Sequence, residues 1–175
     1  MKPAAATSSN FGISTLAASR ADIAVRQSRG TGRAILLVHG EGESMAAFAP
    51  LFTSELAESH HLVAFDLPGH GASGEPYDAE SACTAEGYAD LALEVLERLG
   101  VDSAFVVDRS LGGRIGREMF MIFPEMLGLA VVRGGGREDH EIHAPIFEID
   151  AADVLNLTPA LAEIAEREPR VWFGG

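Results

Sequence analysis

The chain has 175 residues, with 13 basic against 26 acidic side chains, a formal charge of −13, 47% hydrophobic content and 22% charged content. This composition suits one globular domain with a sizeable core and excludes a disordered chain. The acidic excess argues against binding to a phosphate backbone or an anionic membrane surface, so neither nucleic acid nor membrane is an expected partner.

Residues 1–20 open with one lysine followed by small and polar residues. They lack the continuous apolar run of a secretion signal and are expected to form a loose N-terminal arm. No stretch of eighteen apolar residues occurs, which excludes a spanning helix. Cys83 is the single cysteine, so no intrachain disulfide can form; a buried thiol in a reducing, cytoplasmic setting is expected.

Ile23 to Gln27 predicts a strand, followed by a turn at Arg29-Gly30-Thr31-Gly32. Ala34 to Val38 is apolar at every position, the pattern of a parallel strand covered on both faces, and it ends at His39-Gly40. Met45, Phe48, Leu51, Phe52 and Leu56 recur at helical spacing behind Ser44, a plausible N-cap. His61 to Leu67 predicts a strand that delivers the glycine-rich loop Pro68-Gly69-His70-Gly71. Thr84 caps a helix with Glu86 in its first turn, an apolar face of Tyr88, Leu91, Ala92, Val95 and Leu99, and a stop at Gly100. Ala104 to Val107 is the next strand, and a helix running to about Phe123 is halted by Pro124. Leu129 to Val132 predicts one more strand.

Strands and helices alternating at this rhythm predict an α/β domain over residues 21–134, a mostly parallel sheet flanked by helices in three layers. No strand is expected after Val132. Residues 135–175 read as a partial, cap-like or poorly packed segment, with helical patterns at Asp150 to Leu155 and from Thr158-Pro159 to about Pro169. Smaller features are read structurally: His60 and His61 as strand-entry residues, Asp66 as a loop-shaping acceptor, Tyr77 and Tyr88 as packing, and Met119, Met121 and Met126 as core filling.

The stretch from Phe105 to Gly113 carries the chemistry. An apolar strand, a sharp turn bearing Ser110 and two glycines opening a helix present a hydroxyl at a helix N-terminus. The same pattern also describes an ordinary turn with a serine cap.

Three motifs then occur in order: I-L-L-V-H-G (Ile35 to Gly40), F-D-L-P-G-H-G-A-S (Phe65 to Ser73) and S-L-G-G (Ser110 to Gly113). Together they resemble the N-terminal half of an α/β-hydrolase, over roughly Ile23 to Gly134. The resemblance implies Ser110 as nucleophile and the Glu41 and Leu111 backbone N–H groups as oxyanion donors. It implies structural roles for His39, Gly40, Asp66, Gly69, His70, Gly71 and Gly112. It further implies a serine hydrolase acting on a small-molecule ester, lactone or related acyl substrate through an acyl-enzyme, with no cofactor and no metal.

The sequence departs from the family pattern in two places. Asp108 stands where glycine normally precedes the nucleophile by two, adding bulk and a charge that disfavours alkoxide and oxyanion development; Glu41 would do the same if its side chain pointed inward. The family also places its acid and then its histidine after the serine, yet no histidine follows His143, so the triad is incomplete and the chain resembles a truncated member. Glu138 or Asp139 as acid and His140 or His143 as base are the local substitutes, against the simpler reading of Glu138 to His143 as a solvated, mobile charged loop. The i, i+3 histidine pair would also suit a divalent ion, though such pairs are usually incidental. The alternative function is a non-catalytic remnant scaffold that self-associates through an unpaired edge at Leu129 to Val132.

Overall fold

A computed structural model describes residues 12–110, 113–123, 128–133 and 146–150. Seven strands form one sheet in the order β1-β2-β4-β3-β5-β6-β7. They are β1 (Ile13–Ala17), β2 (Asp22–Gln27), β3 (Gly32–Val38), β4 (His60–Phe65), β5 (Ala104–Asp108), β6 (Gly128–Arg133) and β7 (Ile146–Asp150). Strands β3 to β7 pair in parallel, whereas β1 and β2 join as an antiparallel hairpin whose second strand runs antiparallel to β4.

Alternation along the strands sorts the core into two layers. On one face Leu36 and Val38 of β3, Val63 and Phe65 of β4 and Val106 of β5 pack against helices α3 (Ala85–Arg98) and α4 (Arg114–Ile122). On the other, Ile35, Leu37, Leu62, Phe105 and Val107 pack against Met45, Phe48, Leu51, Phe52 and Leu56. Both faces of β3 are therefore dry, as its unbroken apolar run predicts. The three-layer α/β architecture is the one expected.

Helix α3 begins where its cap predicts: the Thr84 hydroxyl accepts the Gly87 N–H at 2.9 Å, and the helix ends before Gly100, which takes φ +69°. Leu91, Ala92 and Val95 are buried as read, with Ala89 and Leu96 alongside them.

Several expectations are corrected. The arm is not loose throughout, because Ile13–Ala17 forms β1. Its turn is fastened to α3, where Glu94 accepts from the Ser19 backbone and hydroxyl and Arg20 meets Asp90 at 2.9 Å. The helix expected from Met45 onward is split into two 3₁₀ turns, Met45–Phe48 and Leu51–Thr53, and a short helix α1 (Glu55–Ser59). Pro50 lacks the N–H that would continue the first turn, and Ser54 is extended at ψ 167°. A one-turn helix α2 (Ala79–Ala82), capped by the Asp78 carboxylate, had no sequence counterpart. Cys83 follows it and is exposed rather than buried. Met119 is fully buried but Met121 is 72% exposed, because two residues on a helix lie nearly opposite each other.

The largest correction concerns the far edge. Strand β7 lies within the segment expected to hold no strand, and it pairs with β6 from Leu129↔Ile146 to Arg133↔Asp150. Leu129 to Val132 is thus not an unpaired edge, which removes the basis given for self-association. The readings at Met126 and at Asp150 to Pro169 lie outside the described residues, except that Asp150 itself closes β7.

Leu91→Ala should lower the unfolding free energy by about 2–5 kcal/mol, the cost of a cavity at a site that is fully buried. Thr84→Ala should cost only about 1 kcal/mol, the worth of a lost N-cap. Urea unfolding midpoints for the two variants would check both values and their order.

Candidate active site

Parallel strands end at the same edge of a sheet, so the segments following β3, β4 and β5 are brought together. Here those segments carry His39-Gly40, the Asp66 to Ser73 loop and Ser110. Between them and the N-termini of α3 and α4 lies an open cleft of about 590 Å³, lined among others by His39, Glu41, His70, Tyr88, Ser110 and Arg114.

The loop after β4 is organised by Asp66. Its Oδ1 accepts the Met45 N–H at 2.6 Å and its Oδ2 the Ala72 N–H at 2.8 Å. Asp66 is thus the loop-shaping acceptor that the sequence suggests. Gly71 takes φ +53°, and a Cβ there would overlap the Asp66 carboxylate. Ser73 closes the loop by donating to the Asp66 carbonyl and accepting from Ala24 N–H.

His39 is buried with both ring nitrogens engaged. Nδ1 donates to the Gly40 carbonyl at 2.8 Å and Nε2 accepts the Leu67 N–H at 2.9 Å. The backbone N–H at Nε2 requires the neutral ring, and burial lowers the pKa accordingly. His39 therefore links the ends of β3 and β4 and has no lone pair left for a nucleophile. His70 lies with its ring 5.3 Å from that of His39 and places Nδ1 3.0 Å from the Pro68 carbonyl. His60 and His61 sit at the opposite end of β4, where His60 meets the Ser59 hydroxyl and His61 meets Gln27.

Ser110 is buried at the cleft floor, and its surroundings differ from a standard elbow. No described residue other than glycine has positive φ, so the strained backbone associated with the elbow serine is absent; the left-handed position falls at Gly113, φ +70°, the N-cap of α4. That glycine has no side chain with which to cap the helix. Asp108 and Ser110 do so instead: the carboxylate accepts the Gly116 N–H at 2.6 Å, and the serine Oγ accepts the Ile115 N–H at 3.3 Å. The other Asp108 oxygen accepts the Ser110 N–H at 2.7 Å. The aspartate thus fills the space a glycine would leave and binds the turn to the helix.

Burial raises the Asp108 pKa, opposed by the Gly116 and Ser110 N–H groups, by the Ser110 hydroxyl and by Arg117. When ionised, the carboxylate offsets part of the positive end of α4, the end that would otherwise favour an oxyanion.

The Glu41 N–H meets no acceptor among the described residues, and the Glu41 side chain is exposed at the cleft. Leu111, Gly112, Asp139, His140 and His143 lie outside the described residues. The sequence reading passed over Glu43 and Arg109, which join the two key loops by an ion pair at 2.7 Å. Opposite charges beside His39-Gly40 and Ser110, on loops expected to converge, were the available signal. Cys83, expected to be a buried thiol, lines the cleft beside Tyr88; burial, together with the Cys83 contact, pushes the tyrosine phenol up.

Two pH dependences of opposite sign follow. Asp108 has a folded pKa above its unfolded value of about 3.9, so its contribution is greatest below that value and is lost as pH rises through the folded pKa. Wild type should therefore lose stability relative to Asp108→Asn as pH increases from about 4. His39 has a folded pKa below its unfolded value of about 6.5, so its contribution is present above pH 6.5 and is lost as pH falls below it. Wild type should lose stability relative to His39→Gln on acidification. Urea midpoints across pH 4 to 8 would check both signs.

Comparison with known proteins agrees with this geometry. Residues 33–158 match the family described as alpha/beta hydrolase fold. The chain is 32% identical over 138 residues to a 2-hydroxymuconate semialdehyde hydrolase of Pseudomonas sp. (strain CF600), covering 77% of this chain and 46% of that protein. It is 42% identical to the N-acyl homoserine lactonase AidH, crystallised with N-hexanoyl homoserine, at a TM-score of 0.68 over 70% of this chain and 44% of AidH. An epoxide hydrolase of Vigna radiata, VrEH1, shares the fold at 18% identity, with a TM-score of 0.65 over 75% of this chain and 42% of that one. The chain thus spans less than half the length of each of these proteins. The site-bearing loops at the C-terminal edge of a parallel sheet, together with the family match over most of the chain, establish that this protein belongs to the α/β-hydrolase fold family.

Proposed function

We propose that the chain carries the nucleophile half of a serine hydrolase acting on an ester or lactone, with Ser110 attacking the acyl carbonyl. The observation that carries this reading is the placement of Ser110 on the cleft floor between β5 and α4, with a backbone N–H of the neighbouring loop, that of Glu41, without an acceptor among the described residues. In this reading the Glu41 and Leu111 N–H groups receive the negative charge that develops on the carbonyl oxygen. The lactone class is supported by the likeness to AidH, of which a serine-to-glycine variant was crystallised with N-hexanoyl homoserine lactone.

A serine hydroxyl must lose its proton as it attacks. His39 has both nitrogens committed, and His60 and His61 lie at the far end of β4. The base is therefore assigned outside these three. His70 lines the cleft with Ser110 but is read as a structural residue of its loop, with Nδ1 3.0 Å from the Pro68 carbonyl, which leaves His140 and His143, with Asp139 as acid, as the candidates in the sequence.

A second reading has a specific observation in its favour. The Ser110 Oγ accepts a helix N–H and its backbone is unstrained, as in a serine that caps α4 and does no chemistry. A fluorophosphonate probe separates the two. The hydrolase reading expects labelling of wild type, its loss in Ser110→Ala, and a fall in activated-ester or lactone turnover on the order of 10³-fold or more in that variant. Slower labelling in His140→Ala or His143→Ala would identify the base. Folded wild type that takes no label would leave the capping role alone.

A further inference from the structure

Glu43 is placed to act on both loops that the proposed chemistry needs. Its N–H donates to the Gly40 carbonyl at 3.1 Å, closing the turn that contains Glu41. Its Oε2 accepts the Gly40 N–H at 2.9 Å, so the carboxylate holds the same residue from the other side. The remaining oxygen, Oε1, accepts from Arg109 Nη2 at 2.7 Å, and Arg109 is the residue immediately before Ser110. The backbones of the two loops are also in contact: the Arg109 N–H donates to the Val38 carbonyl at 2.9 Å, and a Cβ on Gly40 would stand only 3.0 Å from the Arg109 carbonyl oxygen. A side chain at position 40 would crowd both that oxygen and the Glu43 carboxylate, and the two loops would have to give by a few tenths of an ångström.

From this geometry we infer that Glu43 and Arg109 are a positioning pair, which fixes the Gly40-Glu41 segment against the Ser110 turn and so sets where the Glu41 N–H points. The inference rests on the hydrolase reading for its catalytic consequence and on the geometry alone for the mechanical link. A partly exposed ion pair adds little to global stability. Its effect is local, because both oxygens of one carboxylate are used to connect two loops that share no other side-chain bridge among the described residues. Neither residue touches substrate in this scheme. Their influence passes through the backbone donor, and a misplacement of about 1 Å at such a donor can cost about 10²-fold in rate.

Three variants of the full chain test the pair: Arg109→Ala, the near-isosteric Glu43→Gln, and the conservative Arg109→Lys, each first shown by circular dichroism to be folded. Amide exchange at Gly40, read by NMR, reports the link directly. It should quicken about tenfold or more in Arg109→Ala and Glu43→Gln, as local opening becomes easier, and stay near wild type in Arg109→Lys. Fluorophosphonate labelling of Ser110 reports the consequence: the maximal inactivation rate should fall about 10- to 100-fold in the first two variants with the half-saturating probe concentration little changed, and Arg109→Lys should recover most of it. Unchanged Gly40 exchange in both disruptive variants would overturn the link. Faster exchange with an unaltered labelling rate would overturn the positioning role. Wild type that does not label would sink the hydrolase reading and the positioning role with it, while the exchange data would still decide the link.

Discussion

The site depends on the pairing of β3 between β4 and β5. All three strands are parallel and apolar on both faces, so each must be covered by helices and each must end at the same edge. Three loops far apart in sequence are delivered to one place by that constraint alone. The helices follow from the same requirement, with α3 and α4 covering the face of Leu36 and Val38, and the 3₁₀ turns and α1 covering the face of Ile35 and Leu37. A one-residue slip of β3 would move Val38, and with it His39-Gly40, out of line with Phe65 of β4 and Asp108 of β5.

The polar groups at that edge are used economically, and most have two partners. His39 ties the end of β3 to Leu67, Asp66 ties the loop after β4 to Met45 and Ala72, and Glu43 ties Gly40 to Arg109. Asp108 ties Ser110 to α4. In each case a buried or half-buried acceptor meets backbone N–H groups that would otherwise lack partners, and leaving them unmet would cost more than each bond contributes. The Glu41 N–H stands out against this background because it meets no acceptor among the described residues.

Asp108 gives the elbow its individual character. Its carboxylate takes up the Ser110 N–H and the Gly116 N–H at the N-terminus of α4, and the Ser110 backbone lies outside the left-handed region. An ionised carboxylate at the N-terminus of α4 offsets part of the positive end of that helix, so the end is less available to any other negative charge.

Much of this was legible in the sequence. The apolar runs at Ala34 to Val38 and Ala104 to Val107 specify buried parallel strands because no amphipathic element can be apolar at every position. Thr84 and Gly100 mark the ends of α3 because capping is local chemistry. The order of His39-Gly40, Asp66 to Ser73 and Ser110 placed the site, since motifs on successive parallel strands must meet at one edge. What depended on distant partners was not legible. The strands β1 and β7 exist because the hairpin is fastened to α3 and because β6 offers an open edge, neither of which shows in the local pattern of Ile13–Ala17 or Ile146–Asp150. Cys83 is exposed and Met121 turned outward for the same reason: composition sets a residue's preference, but the packing around its helix decides which side is covered. The sequence by itself determined which strands are buried and where a serine would be presented; only the tertiary structure decided that Asp108 caps the helix behind that serine and that Glu43 reaches Arg109, because hydrogen bonds between loops depend on distances that spacing along the chain does not encode.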